Sequence, residues 1–340
     1  MSKSKYLLAA DVGGTKTLVA LAGRGGPWPG IVAQRNYASR DFRALEAILA
    51  DFLARPEAAV HARAISAACF CVAGPVAGNS TVLTNLNWRF GTDALAAQFA
   101  LPSVTLINDF AAAGLGISRL PAEDFAILQG GRPVEHGVRL VIGAGTGLGA
   151  GWLTWEGGRY VAHDSEAGHA DFAPVDELQD KLLAYLRRDF GRVSCERVVS
   201  GPGLMRIFGF LRETGAGDPS RSLLDATRMR GDAAAVIGEF AMSGLDPLAV
   251  RALDLFVAAY GSFAGNLALA ALAHGGVYIA GGIAARIGAK LQDGTFMRAF
   301  LNKGRFAELL ATIPVNVVLN PEVGLYGALL EAEAHAARRD

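Results

Sequence analysis

Certain stretches of the 340-residue chain carry residue types at spacings suited to chemistry. Leu140–Leu153 reads L-V-I-G-A-G-T-G-L-G-A-G-W-L, with glycine at 143, 145, 147, 149 and 151. Alternate residues of a strand share one side, so one side of this stretch is almost bare backbone. Glycine weakens a strand and is tolerated where another backbone or a ligand comes close. Thr146 stands at the tip between Gly145 and Gly147, where bare N–H groups could form an anion-binding concavity. The G-x-G-x-x-G frame is excluded, because the sixth position counted from Gly145 is Ala150, and there is no G-x-x-x-x-G-K-[ST]. Taken alone, the stretch could equally be a glycine-rich hairpin in a crowded sheet.

A second copy of the device shifts that balance. Tyr6–Ala10 is apolar, Asp11-Val12-Gly13-Gly14-Thr15-Lys16 has turn chemistry, and Thr17–Ala22 alternates. This reads again as strand, tight turn, strand, with a hydroxyl residue beside glycine and a carboxylate at the entrance. Two such hairpins could hold a polyphosphate, with Asp11 near a metal ion. The repeat supports a duplicated fold.

Polar residues stand at further element ends. Asn108-Asp109-Phe110 follows the apolar Ser103–Ile107, at the end of a strand where α/β proteins place ligands. Asp109 could also simply cap the helix read over Ala111–Ile117. Glu166 and His169, three apart, could be metal ligands on a helix, but Gly168 argues for a turn, and no second E-x-x-H supplies further ligands. A carboxylate beside an imidazole suits a polyhydroxylated ligand better. Glu196 could merely complement a helix N-terminus. The strand Gly276–Ala280 runs into Gly281-Gly282 before a helix, which lets backbone approach a ligand and favours anions.

The elements that must position these residues read as α/β. Asp41 is expected to cap a helix running from Phe42 to Leu53. Ala64–Ala73 is expected as a strand ending at Gly74-Pro75, and Thr81–Thr84 as a short strand. Thr92 is expected to cap Asp93–Ala100, and an amphipathic helix spans Val175–Asp189. A helix opened by Ser194–Arg197 is expected to break at Ser200–Gly203 before Leu204–Arg212. Ser220–Ala273 reads as helical, Val315–Leu319 as the last strand, and Gly324–Ala337 as a helix packing back on the first domain. Ala252–Ala273 is long and apolar, but Asp254, Tyr260, Ser262 and Asn266 would be costly in lipid, so it reads as a buried helix.

Composition narrows the function classes. Hydrophobic residues make up 51% and charged residues 19%, which fits a well-buried globular chain rather than a disordered one. Lys+Arg and Asp+Glu are equal at 32 each, which argues against a nucleic-acid partner held by a basic surface. Cys69, Cys71 and Cys195 make neither a disulfide framework nor a zinc site, and they fit a reducing compartment. No apolar signal core precedes the first strand, so a cytoplasmic protein without a membrane partner is expected.

Six motifs stand in one order along nearly the whole chain: A-D-V-G-G-T, I-N-D-F, G-A-G-T-G-L-G, S-E-A-G-H-A-D-F-A-P, C-E-R-V-V-S-G-P-G-L and I-A-G-G-I. In these the chain resembles the bacterial glucokinase family. The resemblance implies a two-domain hexokinase/actin-like (ribonuclease H-like) α/β fold with the active site in the interdomain cleft. Its domains would be residues 1–110 plus 322–340 and residues 111–321. It implies ATP-dependent phosphorylation of glucose at the 6-hydroxyl, with Mg2+. Asn108, Asp109, Glu166, His169 and Glu196 would bind the sugar, with Asp109 as the catalytic base. Asp11, Gly13, Gly14, Thr15, Gly145, Thr146 and Gly147 would surround the triphosphate and its magnesium, which Asp11 holds through water. Gly281 and Gly282 would meet the adenosine. A homodimer is also implied. Because Asn108 and Asp109 lie at the expected domain boundary and Glu166, His169 and Glu196 in the second domain, glucose alone is expected to close the cleft.

The chain departs from the family pattern in three ways. Lys16 stands where many relatives have Asn, and Ala167 replaces a glycine of E-G-G-H. The zinc-binding cysteines of the repressor/open-reading-frame sugar kinases are absent, which places the chain outside that branch. Three alternatives are weighed beside this reading. A kinase for fructose, mannose or an amino sugar would share the phosphate chemistry. A sugar-sensing repressor would need a DNA-binding segment before the strand at Tyr6. An actin-like ATPase module would have no use for the sugar cluster.

Overall fold

The computed structural model describes residues 6–25, 28–74, 76–83 and 85–338. Pro75 and Thr84, expected at a strand exit and in a short strand, lie outside the described residues. The chain forms two compact units, Met1–Pro121 with Glu322–Asp340, and Ala122–Pro321.

The smaller unit is built on β1 (Tyr6–Val12), β2 (Lys16–Gly23), β3 (Ile31–Ala38), β4 (Ile65–Val72) and β8 (Val104–Asn108), in the order β3-β2-β1-β4-β8. β1–β2 and β2–β3 pair antiparallel, while β1–β4 and β4–β8 pair parallel. The strands β5 (Val76–Ala77), β6 (Ser80–Leu83) and β7 (Trp88–Gly91) form a separate small sheet. Alternation along β1 sends Leu8, Ala10 and Val12 into a core shared with Leu45, Ile48, Leu49 and Phe52 of the helix Leu45–Ala54. Leu7 and Ala9 point the other way, with Cys69 and Cys71, onto Leu325, Ala328, Leu329 and Ala332. Those four belong to the C-terminal helix Val323–Ala337, which thus returns to cover this sheet.

The larger unit contains β9 (Phe125–Gln129), β10 (Arg139–Ala144), β11 (Leu148–Glu156), β12 (Arg159–Ser165), β13 (Gly276–Ala280) and β14 (Val315–Val318), in the order β12-β11-β10-β13-β14-β9. Its first five positions repeat the smaller unit's pattern: two antiparallel pairings at the hairpin end, then two parallel ones. The duplication signalled by two glycine turns is therefore a duplication of the whole sheet. The long apolar helix is Pro247–Ala271, and 72% of its most apolar window is buried inside the protein. Its Phe256 and Tyr260 pack edge-on in a cluster continued by Phe296. It is a core helix of the larger unit.

Several element boundaries differ from expectation. The smaller unit runs on to Pro121 rather than ending at residue 110, because the helix Asp109–Gly116 packs along the C-terminal helix. Asp41 lies in a one-turn Ser39–Asp41 helix, and the α-helix begins without a side-chain cap at Leu45, the first residue of its buried face. Thr92 is the first residue of the helix Thr92–Phe99 rather than its cap. Cys195–Arg197 is a single 3-10 turn. Ser200–Gly203 starts a helix instead of breaking one: Ser200 caps Gly201–Glu213, and Pro202 sits in the first turn, where its missing N–H costs nothing. The segment after Ser220 is three helices, Arg221–Arg230, Ala233–Met242 and Pro247–Ala271.

Candidate active site

In the smaller unit, the predicted residues gather at one end of the sheet. Asp11 lies in β1, paired with Leu18 of β2 and Cys71 of β4. The strand therefore runs one residue past Asp11 before the turn opens at Gly13. Gly13 donates its N–H to the Lys16 carbonyl at 3.0 Å, closing the turn, while Thr15 and Lys16 stand exposed at its tip. Asn108 ends β8, and its Oδ1 accepts from the N–H groups of Phe110 (2.8 Å) and Ala111 (3.4 Å). Asn108 is thus the cap of the helix Asp109–Gly116, and its Nδ2 donates to the Gly74 carbonyl at 3.3 Å. Asp109 is left as the first helical residue, with one oxygen on the Phe110 N–H at 3.0 Å.

The electrostatics of this end favour proton transfer. Burial, and then the negative charge of Asp11, push the Asp109 pKa up to about 7, against the pull of neighbouring backbone N–H groups. A carboxylate poised near neutral pH is suited to take a proton from a hydroxyl. Burial also raises Asp11, opposed by the Cys71 thiol and by Lys16. The thiol sits 3.5 Å from Oδ1, and a Cβ built on Gly324 would lie 3.3 Å from Oδ2. Gly324 is the second residue of the C-terminal helix, and its lack of a side chain lets the helix come close without crowding the carboxylate. A buried carboxylate with so weak a partner suits a hydrated cation. Neither Cys71 nor Gly324 was singled out from sequence. The register of β1 on β4 could have paired Cys71 with Asp11, but no local signal points to Gly324.

In the larger unit, the second glycine turn joins β10 to β11. Gly145 donates its N–H to the Gly147 carbonyl at 2.8 Å, and its own carbonyl accepts from the Gly201 N–H at 2.8 Å. Gly145 therefore closes the turn, leaving the exposed Thr146 and its neighbour Gly147 at the tip. Glu196 reaches this turn: its Oε2 accepts from the Leu148 N–H at 3.0 Å. A Cβ on Gly147 would lie 2.5 Å from that same oxygen, so glycine is required for the carboxylate to come this close.

Glu166 precedes and His169 ends the 3-10 turn Ala167–His169, with Oε2 and Nε2 3.7 Å apart and both side chains exposed. Arg192 pins this turn from behind, donating to the His169 carbonyl and to Asp171 Oδ1 at 2.8 Å each. The Cys195 N–H bonds the Ala170 carbonyl at 2.8 Å, tying the turn to the segment that bears Glu196. Arg192 was not anticipated, since a surface arginine between helices gives no local signal of its partners. Gly281, at φ +89°, lies beside the end of β10, where a Cβ would stand 3.0 Å from the Ala144 carbonyl. Gly281 and Gly282 are thus exposed next to the glycine hairpin.

Comparison with known proteins identifies the family. The glucokinase family profile matches residues 8–335. A glucokinase of Nostoc sp. is 43% identical over 337 residues, 95% of this chain and 98% of the relative. A glucokinase of Yersinia pestis is 36% identical over 323 residues, 95% of each. The crystal structure of a glucokinase from an Antarctic psychrotroph superposes with a TM-score of 0.83 at 29% identity, covering 97% of this chain and 99% of that one. The chain belongs to the glucokinase family.

Proposed function

We propose that this protein transfers the γ-phosphoryl group of ATP to the 6-hydroxyl of glucose, giving glucose 6-phosphate and ADP. The observation that carries this reading is Asp109, a carboxylate poised near neutrality at a strand end and freed from capping duty by Asn108. The whole-length match to glucokinases supports the reaction class.

Phosphoryl transfer passes through a loose transition state, so positioning and charge neutralisation dominate. Asp109 takes the proton of the 6-hydroxyl as the oxygen attacks the γ-phosphorus in line, and ADP leaves. Asn108, already fixed by its cap and by Gly74, offers the second hydrogen of its Nδ2 to the sugar. Glu166, His169 and Glu196 hold the ring hydroxyls, so that a single hydroxyl is presented. Gly14, Thr15, Thr146 and Gly147 give N–H groups to the phosphates, while Gly13 and Gly145 close the two turns. Gly281 and Gly282 receive the adenosine. Asp11 would hold Mg2+ through water, and the ion, when bound, neutralises charge on the phosphate oxygens.

On this reading the protein is a cytoplasmic enzyme of glycolysis and a homodimer. Three free, buried thiols fit a reducing compartment. A coupled assay across hexoses and phosphoryl donors tests the proposal, with glucose and ATP expected to give the highest kcat/KM. A higher value for fructose, mannose or an amino sugar would reassign the substrate. ADP release without sugar phosphate would point to an ATPase module.

A further inference from the structure

We propose that Ser39, backed by Thr17, is the positioning residue of the first glycine turn and aims its N–H groups at the nucleotide phosphates. This rests on the ATP-binding role proposed above for Gly14 and Thr15.

Ser39 and Thr17 are both buried, and buried hydroxyls need partners. The Ser39 hydroxyl donates to the Gly13 carbonyl at 2.7 Å and lies 2.9 Å from Thr17 Oγ1. A serine hydroxyl has a single proton, and here it is committed to Gly13. Thr17 must therefore donate to Ser39, giving a directed chain from Thr17 through Ser39 to the Gly13 carbonyl. The Ser39 backbone N–H also donates to the Thr15 carbonyl at 3.0 Å. One serine thus draws in the carbonyls on both sides of Gly14.

The planar trans peptide converts this into a statement about donors. The N–H of Gly14 points opposite to the Gly13 carbonyl, while the carbonyl of Lys16 faces back across the hairpin to the Gly13 N–H. Holding the Gly13 and Thr15 oxygens back turns the Gly14 N–H away from them and removes the lone pairs that would repel an anion. The larger unit shows the same device with different atoms. There the Gly145 carbonyl, at the corresponding place in the second turn, is held by the Gly201 N–H at 2.8 Å. Each glycine turn thus has its first carbonyl drawn back by a donor from a distant segment, a feature that packing alone does not require twice.

The test is calorimetric titration of the full chain with MgATP in the absence of sugar, and separately with glucose. Ser39→Ala is expected to weaken MgATP binding by about 3- to 10-fold, the value of one net hydrogen bond. Glucose affinity should stay within about twofold, since a purely structural loss would not separate the two ligands. Thr17→Val keeps the side-chain shape and removes only the donor to Ser39. It should weaken MgATP about two- to threefold, and it provides the reading if Ser39→Ala does not fold. Unchanged MgATP affinity in folded Ser39→Ala, or equal loss for both ligands, would overturn the proposal. A wild-type protein that binds no MgATP would instead bring down the nucleotide reading beneath it, and this inference with it.

Discussion

The Asp11 carboxylate raises the pKa of Asp109, second only to burial, and together they bring it to about 7. A base must be ionised to accept a proton, so catalysis should be lost as pH falls through that value. We expect kcat/KM for glucose to drop on the acid side with an apparent pKa near 7, as measured over a pH series at saturating MgATP. An acid limb near 4 would mean that the base is an ordinary exposed carboxylate.

The same shift has a signed consequence for stability. A carboxyl whose folded pKa lies above its unfolded value favours folding at low pH, and that contribution is lost as pH rises toward the folded pKa. Asp109→Asn removes the charge while keeping an oxygen for the Phe110 N–H. The variant should melt above wild type at pH 8, and the two should converge near pH 4. Equal melting temperatures at both pH values would contradict a strained carboxylate.

Asn108→Asp separates capping from charge. Aspartate caps as well as asparagine, so the helix start should be kept. The substitution adds a negative charge next to Asp109 and removes the Nδ2 donor to Gly74. The acid limb of kcat/KM should move to higher pH and the KM for glucose should rise. An unshifted limb would show that Asp109 does not set it.

Both residue types cap helices, so the sequence of Asn108-Asp109 left the capping role open, and only the placement of both side chains resolves it. The strand–turn–strand hairpins were legible because alternating glycines and flanking apolar runs are local signals. The start at Ser200 was misread because glycine and proline break a helix interior yet are welcome in a first turn. Cys71, Gly324, Arg192 and Ser39 were missed for one shared reason. Each acts on a residue far away in the chain, or through a backbone atom, and neither leaves a pattern in a single sequence.

Glu166→Gln and Glu196→Gln should each raise the KM for glucose by about 10- to 100-fold, the cost of a charge-assisted hydrogen bond. The KM for ATP should move much less, because a glutamine at 196 can still accept from the Leu148 N–H. Glu196→Ala leaves that N–H without its acceptor and should raise the KM for ATP as well. Equal effects of Gln and Ala on ATP would sever the tie between Glu196 and the hairpin.

Gly147→Ala probes the same tie from the other side. Its Cβ would stand 2.5 Å from Glu196 Oε2, the far end of a flexible chain that can swing away. The fold should survive, with a melting temperature within a few degrees of wild type (about 1 kcal/mol). Glucose affinity should fall as Glu196 is displaced. Unaltered glucose binding would place that carboxylate outside the sugar site.

The most direct measurement is a single-turnover rapid-quench assay of Asp109→Asn with glucose and MgATP, alongside calorimetric glucose binding. The expected result is a chemical rate lowered by roughly 10²–10⁴-fold while glucose still binds. A variant that retains more than about a third of the wild-type rate would show that Asp109 is not the base.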